Sequence, residues 1–240
     1  RPRGLRRWLR PQVNFAVDGV PPFKPLPLDQ AFPMLEWGLN WCVSTRAHQY
    51  LIIHAGVVEK NGRAAILPAP PGSGKSTLTA ALMLSGWRLL SDELTLIDRR
   101  TGLVQPLPRP VSLKNQSIDI IRAFSPDAFV NRESRDTVKG TVAHLRPLRD
   151  SVRRQHEPAR PGWVIFPRWQ AGAAARLTPR SKAQTFMFLA ENAFNYSHLG
   201  ADGFRVGSAL IDQTACYDFE YGILDEAVAQ FERLAAEGSA

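Results

Sequence analysis

At 240 residues the chain can bury a full core, as one large domain or as a domain with an extension. Apolar residues make up 44% and charged residues 22%, ordinary for a globular protein, and no apolar run reaches the ~18 residues of a transmembrane helix. The formal charge of +8 would suit nucleic acid, but the basic clusters lack interleaved base-stacking aromatics and no known reading module is present, so neither nucleic acid nor membrane is expected as a partner.

Residues 1–30 are rich in Arg and Pro, with Arg at positions 1, 3, 6, 7 and 10, and end in VPPFKPLPLDQ, which reads as an extended arm or linker. Arg1 to Arg10 leads into prolines rather than an apolar segment, so no secretory signal is expected. Ala31 to Tyr50 carries apolar residues at Phe32, Leu35, Leu39 and Cys42 or Val43, the spacing of a helix. We divide the chain into residues 1–45, arm and helix, and residues 46–240, one larger domain. Next come two β-type runs, LIIHAGVV and RAAILPA, joined through Lys60-Asn61-Gly62, where Asn-Gly is the strongest short hairpin signal. Ser76 to Ser85 is an amphipathic helix that stops at Gly86, WRLLSDELTLID reads as one strand, and Arg99 to Gly102 turns it into LVQPLP. SPDAFVNRESRDTVKGT reads as loop, GWVIFPRWQ as a strand, and Lys182 to Ala193 and Asp225 to Ala236 as helices. The fold class is α/β with a mixed sheet, not a pure βαβ repeat. Cys42 and Cys216 lie far apart and match no metal spacing, so both are expected as reduced thiols.

Pro70-Pro71-Gly72-Ser73-Gly74-Lys75-Ser76-Thr77 follows the apolar strand AAIL and opens a helix, the context that a phosphate-binding loop requires. Unpaired N–H groups and the positive end of the helix dipole meet phosphate oxygens there. Gly72 and Gly74 permit φ > 0 and close approach, Lys75 reaches the β- and γ-phosphates, and the Ser76 hydroxyl is placed for Mg²⁺. Pro71, Gly72, Ser73, Gly74, Lys75, Ser76 and Thr77 are thus the candidate ATP contacts. One departure is Ala69, which stands where G-x-x-x-x-G-K-[ST] has its first Gly and fits if it keeps φ < 0. With the loop and the free thiols together, a cytoplasmic location is expected.

Asp92 and Glu93 follow Leu89-Leu90, seventeen residues after Lys75, which leaves room for one helix and a return strand. That spacing suits small kinases, in which a carboxylate meets the metal or the acceptor hydroxyl. Asp92 is read as the proton acceptor and Glu93 as holding metal-bound water, with the opposite assignment open; Ser76, Asp92 and Glu93 form the candidate metal set. His54, on the first hairpin strand, falls near the strand end that delivers the loop, where a neutral imidazole could orient Asp92.

The order His54-Ala55-Gly56, Asn-Gly hairpin, GSGKST, helix, Gly86-Trp87-Arg88-Leu89-Leu90-Ser91-Asp92-Glu93 resembles the HPr kinase/phosphorylase family, whose catalytic domain is similar to phosphoenolpyruvate carboxykinase around its phosphate loop. PAPPGSGKSTL, KGTVAHL and FPRW further resemble the HPr-kinase-related kinases. The likeness spans about residues 50–200 and is most specific over 54–97. It implies a mixed-sheet phosphate-loop kinase core, ATP and Mg²⁺, a serine hydroxyl on a small protein or peptide as acceptor, and a homo-oligomer. His54, Lys75 and Asp92 would be catalytic, and Lys139, His144 and Arg168 would touch phosphate or acceptor. Thr137 stands where the family places an acidic metal residue, with Asp136 and Glu133 the nearby carboxylates that could replace it. Outside this family, a small-molecule kinase and a non-catalytic nucleotide-dependent switch are the rival readings.

Overall fold

The computed structural model describes residues 9–237, so Arg1, Arg3, Arg6 and Arg7 of the basic arm lie outside the described residues. Strands β1 (Gln12–Val13) and β2 (Leu26–Pro27) pair antiparallel and lead through a 3-10 turn into helix α1 (Ala31–Arg46). This stretch is not the open linker expected from its prolines. Phe15, Phe23 and Trp41 of α1 form a chain of ring contacts, and Phe15 fills space that only a glycine leaves: a Cβ at Gly38 would lie 2.4 Å from its ring. Helix α1 has the expected period but turns its apolar stripe outward, with Phe32, Leu35 and Leu39 exposed and Met34, Glu36 and Gly38 buried.

Strands β3 (Tyr50–Lys60) and β4 (Arg63–Pro68) form the expected hairpin. Asn61 and Gly62 have φ of 54° and 78°, and left-handed backbone at both central positions matches the twist of antiparallel strands. Helix α2 (Lys75–Leu84) ends as the sequence suggests: Gly86 takes φ 94°, and the Gly86 and Trp87 N–H groups donate to the Met83 and Leu82 carbonyls. The run expected as a single strand is two, β5 (Arg88–Ser91) and β6 (Leu94–Asp98). Both pair with β3, β5 along Val57–Glu59 and β6 along Tyr50–His54, and Asp92-Glu93 is thrown out of the ladder between them.

After β7 (Val104–Gln105) the chain forms β8 (Val111–Lys114), α3 (Gln116–Phe124), β9 (Ser134–Thr137) and β10 (Gly140–Leu145). The stretch read as loop therefore contributes β9 to a three-stranded sheet ordered β8-β10-β9. Then come α4 (Arg149–Arg153), β11 (Arg160–Trp169), β12 (Arg176–Pro179), α5 (Lys182–Glu191), α6 (Tyr196–Leu199), α7 (Ala201–Asp212), β13 (Ala215–Tyr221) and α8 (Leu224–Glu237). The main sheet runs β12-β13-β11-β4-β3-β6-β7 with β5 also on β3; β13, β11 and β4 are mutually parallel and the other pairings antiparallel. This is a mixed α/β architecture.

The central strands are buried on both faces, which is why they read as continuous apolar runs. Ala65, Leu67, Trp163 and Ile165 pack into one core with Leu78 of α2 and Phe231 of α8. The alternate residues Ala64, Ile66, Val164 and Phe166 pack into a second core with Leu189 of α5 and Leu210 of α7. The basic cluster after β10 is partly neutralised by neighbours, with Arg153 on Asp150 at 2.9 Å and Arg154 on Glu157 at 2.7 Å. Cys42 and Cys216 are both free. No described helix is long and apolar enough to cross a membrane.

Candidate active site

Main-chain register assembles the site. The hairpin sets Ala55 opposite Pro68, and the β3–β6 ladder sets His54 opposite Leu94, so the glycine-rich loop, His54 and Asp92-Glu93 share one level of the sheet. Strands β11 and β13 run parallel to β4, so their carboxyl ends, at Trp169 and Tyr221, emerge beside the loop. A cleft of about 900 Å³ opens there, lined by the loop together with His54, Glu93, Lys114, Trp169 and Tyr221.

The loop is held from several sides. Gly72 and Gly74 take φ of 85° and 86°, and Ala69 keeps a negative φ, the condition under which alanine fits at that position. The Trp169 N–H donates to the Ser73 carbonyl at 2.9 Å and the Tyr221 hydroxyl to the Gly74 carbonyl at 3.2 Å. A Cβ at Gly74 would stand 2.5 Å from that hydroxyl, so glycine is required there by space as well as by φ. Burial pushes the Tyr221 phenol well above its ordinary range, keeping it a neutral donor. Nothing local in the sequence pointed to Tyr221; Trp169 lay within the FPRW segment.

Asp92 is buried, and its Oδ2 accepts from the Ser112 N–H at 3.1 Å. Burial raises its carboxyl to about 6; Lys75 pulls the other way, Glu93 adds to the rise, and the Ser112 amide and Ser76 hydroxyl lower it. Its Oδ1 is buried with no hydrogen-bond partner among the described residues. Burial penalises the Glu93 carboxylate, yet Lys139, Lys114, Lys75 and His54 together outweigh that and hold it below its ordinary value. Asn40 of α1 donates to Glu93 Oε2 at 2.5 Å, an orienting contact that the sequence did not reveal. Lys75 is lowered by burial, against the attraction of Asp92 and Glu93. His54 is pushed down to about 4, first by burial and then by Lys75, so its imidazole is neutral at physiological pH. No hydrogen bond joins His54 to Asp92: the Ser112 amide orients Asp92, while the charges acting on His54 are Lys75, Glu93, Lys114 and Lys139.

Of the three further expected contacts, none lines the cleft. His144 is 3% exposed in a small chamber behind the acids, with Glu36, Asn40, Asp92, Arg109 and Ser112. It shares that chamber with Asp92 rather than lining the cleft, and both its ring nitrogens lack partners among the described residues. Lys139 sits on the β9–β10 turn with Nζ 5.1 Å from the Trp37 ring, within electrostatic reach of Glu93. Arg168 is exposed at the end of β11. Thr137 serves the same turn, donating to the Gly140 carbonyl at 2.7 Å and accepting from the Lys139 N–H at 3.0 Å. Neither possible replacement carboxylate lines the cleft: Asp136 is exposed and Glu133 pairs with Arg122 at 2.8 Å. Lys114, at the end of β8, is the cation that the sequence reading missed.

No group of three or more His, Cys, Asp or Glu side chains able to hold a metal forms among the described residues. Magnesium does not need such a cage, since it is commonly held by one or two carboxylates, nucleotide phosphate oxygens and water. Glu93 and the Ser76 hydroxyl, which line the cleft beside the loop with Asp92 next in sequence, offer that kind of partial oxygen set, and so fit it.

No protein-family model matches the chain, and no curated protein matches it. Among solved structures, the HPr(Ser) kinase/phosphatase from Coxiella burnetii is a distant match, 12% identical over 78% of this chain and 98% of that one, with a TM-score of 0.31.

Proposed function

We propose that the protein is an ATP- and Mg²⁺-dependent phosphotransferase that moves the γ-phosphoryl group to a hydroxyl, read from the family resemblance as a serine of a small protein or peptide. The observation that carries this reading is the placement of Asp92, buried with one oxygen unpartnered, at the level of a glycine-rich loop ending in Lys75. Phosphoryl transfer asks a protein mainly for in-line positioning, charge neutralisation and a proton acceptor. In this reading the loop amides and Lys75 hold the phosphates and Ser76 and Glu93 hold the metal. When bound, the metal offsets charge on the transferring group. Asp92 Oδ1 takes the proton of the acceptor hydroxyl, and Lys114 and Lys139 lie on the acid side of the site, where they offset negative charge. Neutral His54 lines the same cleft as Glu93 and does not carry the proton at physiological pH. Homo-oligomerisation and a cytoplasmic location belong to the same proposal.

The test is incubation with γ-labelled ATP and Mg²⁺ in a lysate of the source cell, wild type beside Lys75→Ala, with intact-mass identification of what is labelled. A labelled small protein or peptide that disappears with Lys75→Ala is the expected result. Label in a metabolite would make it a small-molecule kinase, and tight ATP binding with no label would make it a switch.

A further inference from the structure

Parts of the chain that lie far apart in sequence meet beside the acid pair. Trp37 comes from α1, Asp92 from the break between β5 and β6, Arg109 from the stretch before β8, and Ser112 and His144 from β8 and β10. Together they line a chamber of about 20 Å³. Trp37 Nε1, Asp92 Oδ1, Arg109 Nη1, Ser112 Oγ and both ring nitrogens of His144 are buried with no hydrogen-bond partner among the described residues. Asp92, Ser112 and His144 are only 5%, 7% and 3% exposed. Buried polar side chains are ordinarily paired, so a group of unpaired ones around a single small space points to a ligand there. Glu93 and Ser112 line both this chamber and the cleft, so the two spaces adjoin.

The chemistry of these groups selects the ligand. The Arg109 and Trp37 nitrogens only donate, a carboxylate oxygen of Asp92 only accepts, and a hydroxyl or a neutral imidazole does both. A cation would face the Arg109 guanidinium, and an anion the carboxylates of Glu36, Asp92 and Glu93. Water donates and accepts at once, and a space of this size holds about one. Burial pushes the His144 ring down to about 4; Glu93 opposes this and Arg109, Lys114 and Lys139 add to it, so the ring is neutral and keeps one acceptor nitrogen. The β8–β10 ladder sets His144 opposite Ser112, whose N–H donates to Asp92 Oδ2. Phe32 of α1 meets the His144 ring edge-on, with centroids 4.8 Å apart. One hydrogen bond leaves a carboxylate able to turn, because the last torsion of Asp is broad and two-fold. A second bond, on the other oxygen, fixes it.

We propose that the chamber binds one ordered water, and that His144 is a positioning residue which holds Asp92 Oδ1 through it. A carboxylate oxygen has two lone-pair sites, so one meets the water and the other stays available to the acceptor hydroxyl. The inference rests on the role given to Asp92 above and adds a residue to that site.

The test combines high-resolution crystal structures of the full chain, as wild type, His144→Leu and His144→Gln, with γ-phosphoryl transfer to the acceptor that the labelling assay identifies. In wild type a water is expected within hydrogen-bonding distance of Asp92 Oδ1 and a His144 ring nitrogen. His144→Leu replaces the ring by an apolar group of similar volume, so it should lose the water and let the Asp92 carboxylate turn by more than ~30°. Its kcat should fall at least about tenfold with KM for ATP within about twofold of wild type. His144→Gln keeps a donor and an acceptor, so it should restore the carboxylate orientation and most of kcat. A wild-type chamber without water, an Asp92 that keeps its orientation in His144→Leu, an unchanged kcat, or a KM that rises in step with the fall in kcat would each overturn the proposal. The wild-type and His144→Gln structures decide it if His144→Leu does not fold. Wild type that binds ATP but labels nothing would overturn the phosphotransferase reading, and the structures alone would then judge the water and its hold on Asp92.

Discussion

Replacing Gly56 by alanine tests how closely the central strand sits on the helix behind the glycine-rich loop. A Cβ at Gly56 would lie 2.6 Å from Thr79 Oγ1, 3.3 Å from the Asp92 carbonyl oxygen and 3.7 Å from Lys75 Cγ. Thr79 is fully buried and β-branched, so its hydroxyl has little freedom to swing aside. Strand β3 and helix α2 must part, and the carbonyl beside the acid pair moves with them. Overpacking of this kind costs about 1–3 kcal/mol. Alanine also stiffens the unfolded chain, which returns roughly 0.4–1 kcal/mol. The net expectation is a loss of about 1–2 kcal/mol, seen as a lower urea midpoint with an unchanged slope. Thr79→Ala removes the obstructing atom, so the double variant should be at least ~1 kcal/mol more stable than the sum of the single effects predicts. Denaturation of the four proteins completes the cycle. Single effects that add to within about 0.5 kcal/mol would refute the steric argument.

Asp92 is raised from 3.8 to about 6, so between those values the folded protein binds more protons than the unfolded chain and stability falls as pH rises. Asp92→Asn should therefore stabilise the protein at pH 7 by up to ~3 kcal/mol, two pKa units at ~1.4 each, and by little at pH 3.5; parallel stability–pH curves would contradict this. The same variant should retain nucleotide and lose turnover. Because His54 is already neutral above about pH 4, His54→Gln should lower turnover but leave the acid limb of kcat/KM near pH 6; a limb that moves would assign it to His54. Arg88 and Glu59 form a buried pair at 2.5 Å, and Arg88 also donates to the Arg154 and Glu157 carbonyls. Arg88→Met should cost about 3 kcal/mol, at the low end for a broken buried pair because Arg154 remains 3.8 Å from Glu59. Thermal unfolding that shows less than ~1 kcal/mol lost would refute that.

What the sequence revealed was carried by short-range chemistry. Asn61-Gly62 can sustain left-handed backbone at both positions of a two-residue turn, and that alone fixed the hairpin and its register. Glycines at 72, 74 and 86 marked the loop and the helix end for the same reason. The misreadings come from where tertiary context decides. The single-strand reading missed that WRLLSDELTLID breaks at Asp92-Glu93, because the apolar runs on both sides continue the strand pattern and only their separate pairing with β3 shows the gap. Strand β9 is the polar sequence SRDT, which looks like loop and is held in place by its ladder with β10. Lys114 and Tyr221 reach the site because their strands end there, and Ser112 because it lies on the same strand as Lys114, and no local pattern records that. The burial of His144 against Phe32 of α1 was likewise not legible, since it follows from packing and not from its neighbours in sequence.

The pairing of β4 also has a dynamic consequence. Its Ala64–Pro68 segment is buried and paired with β3 throughout, and with β11 as far as Ile66. Amide protons in such a strand exchange with solvent only when the whole domain opens, whereas those of a rim helix such as α3 exchange by local fraying. Deuterium uptake should therefore be slowest at Ala65 and Ile66, beneath the loop, and far faster at the mouth of the cleft. The strand that carries the glycine-rich loop would then be the least mobile part of the molecule, and motion would be confined to the walls of the cleft.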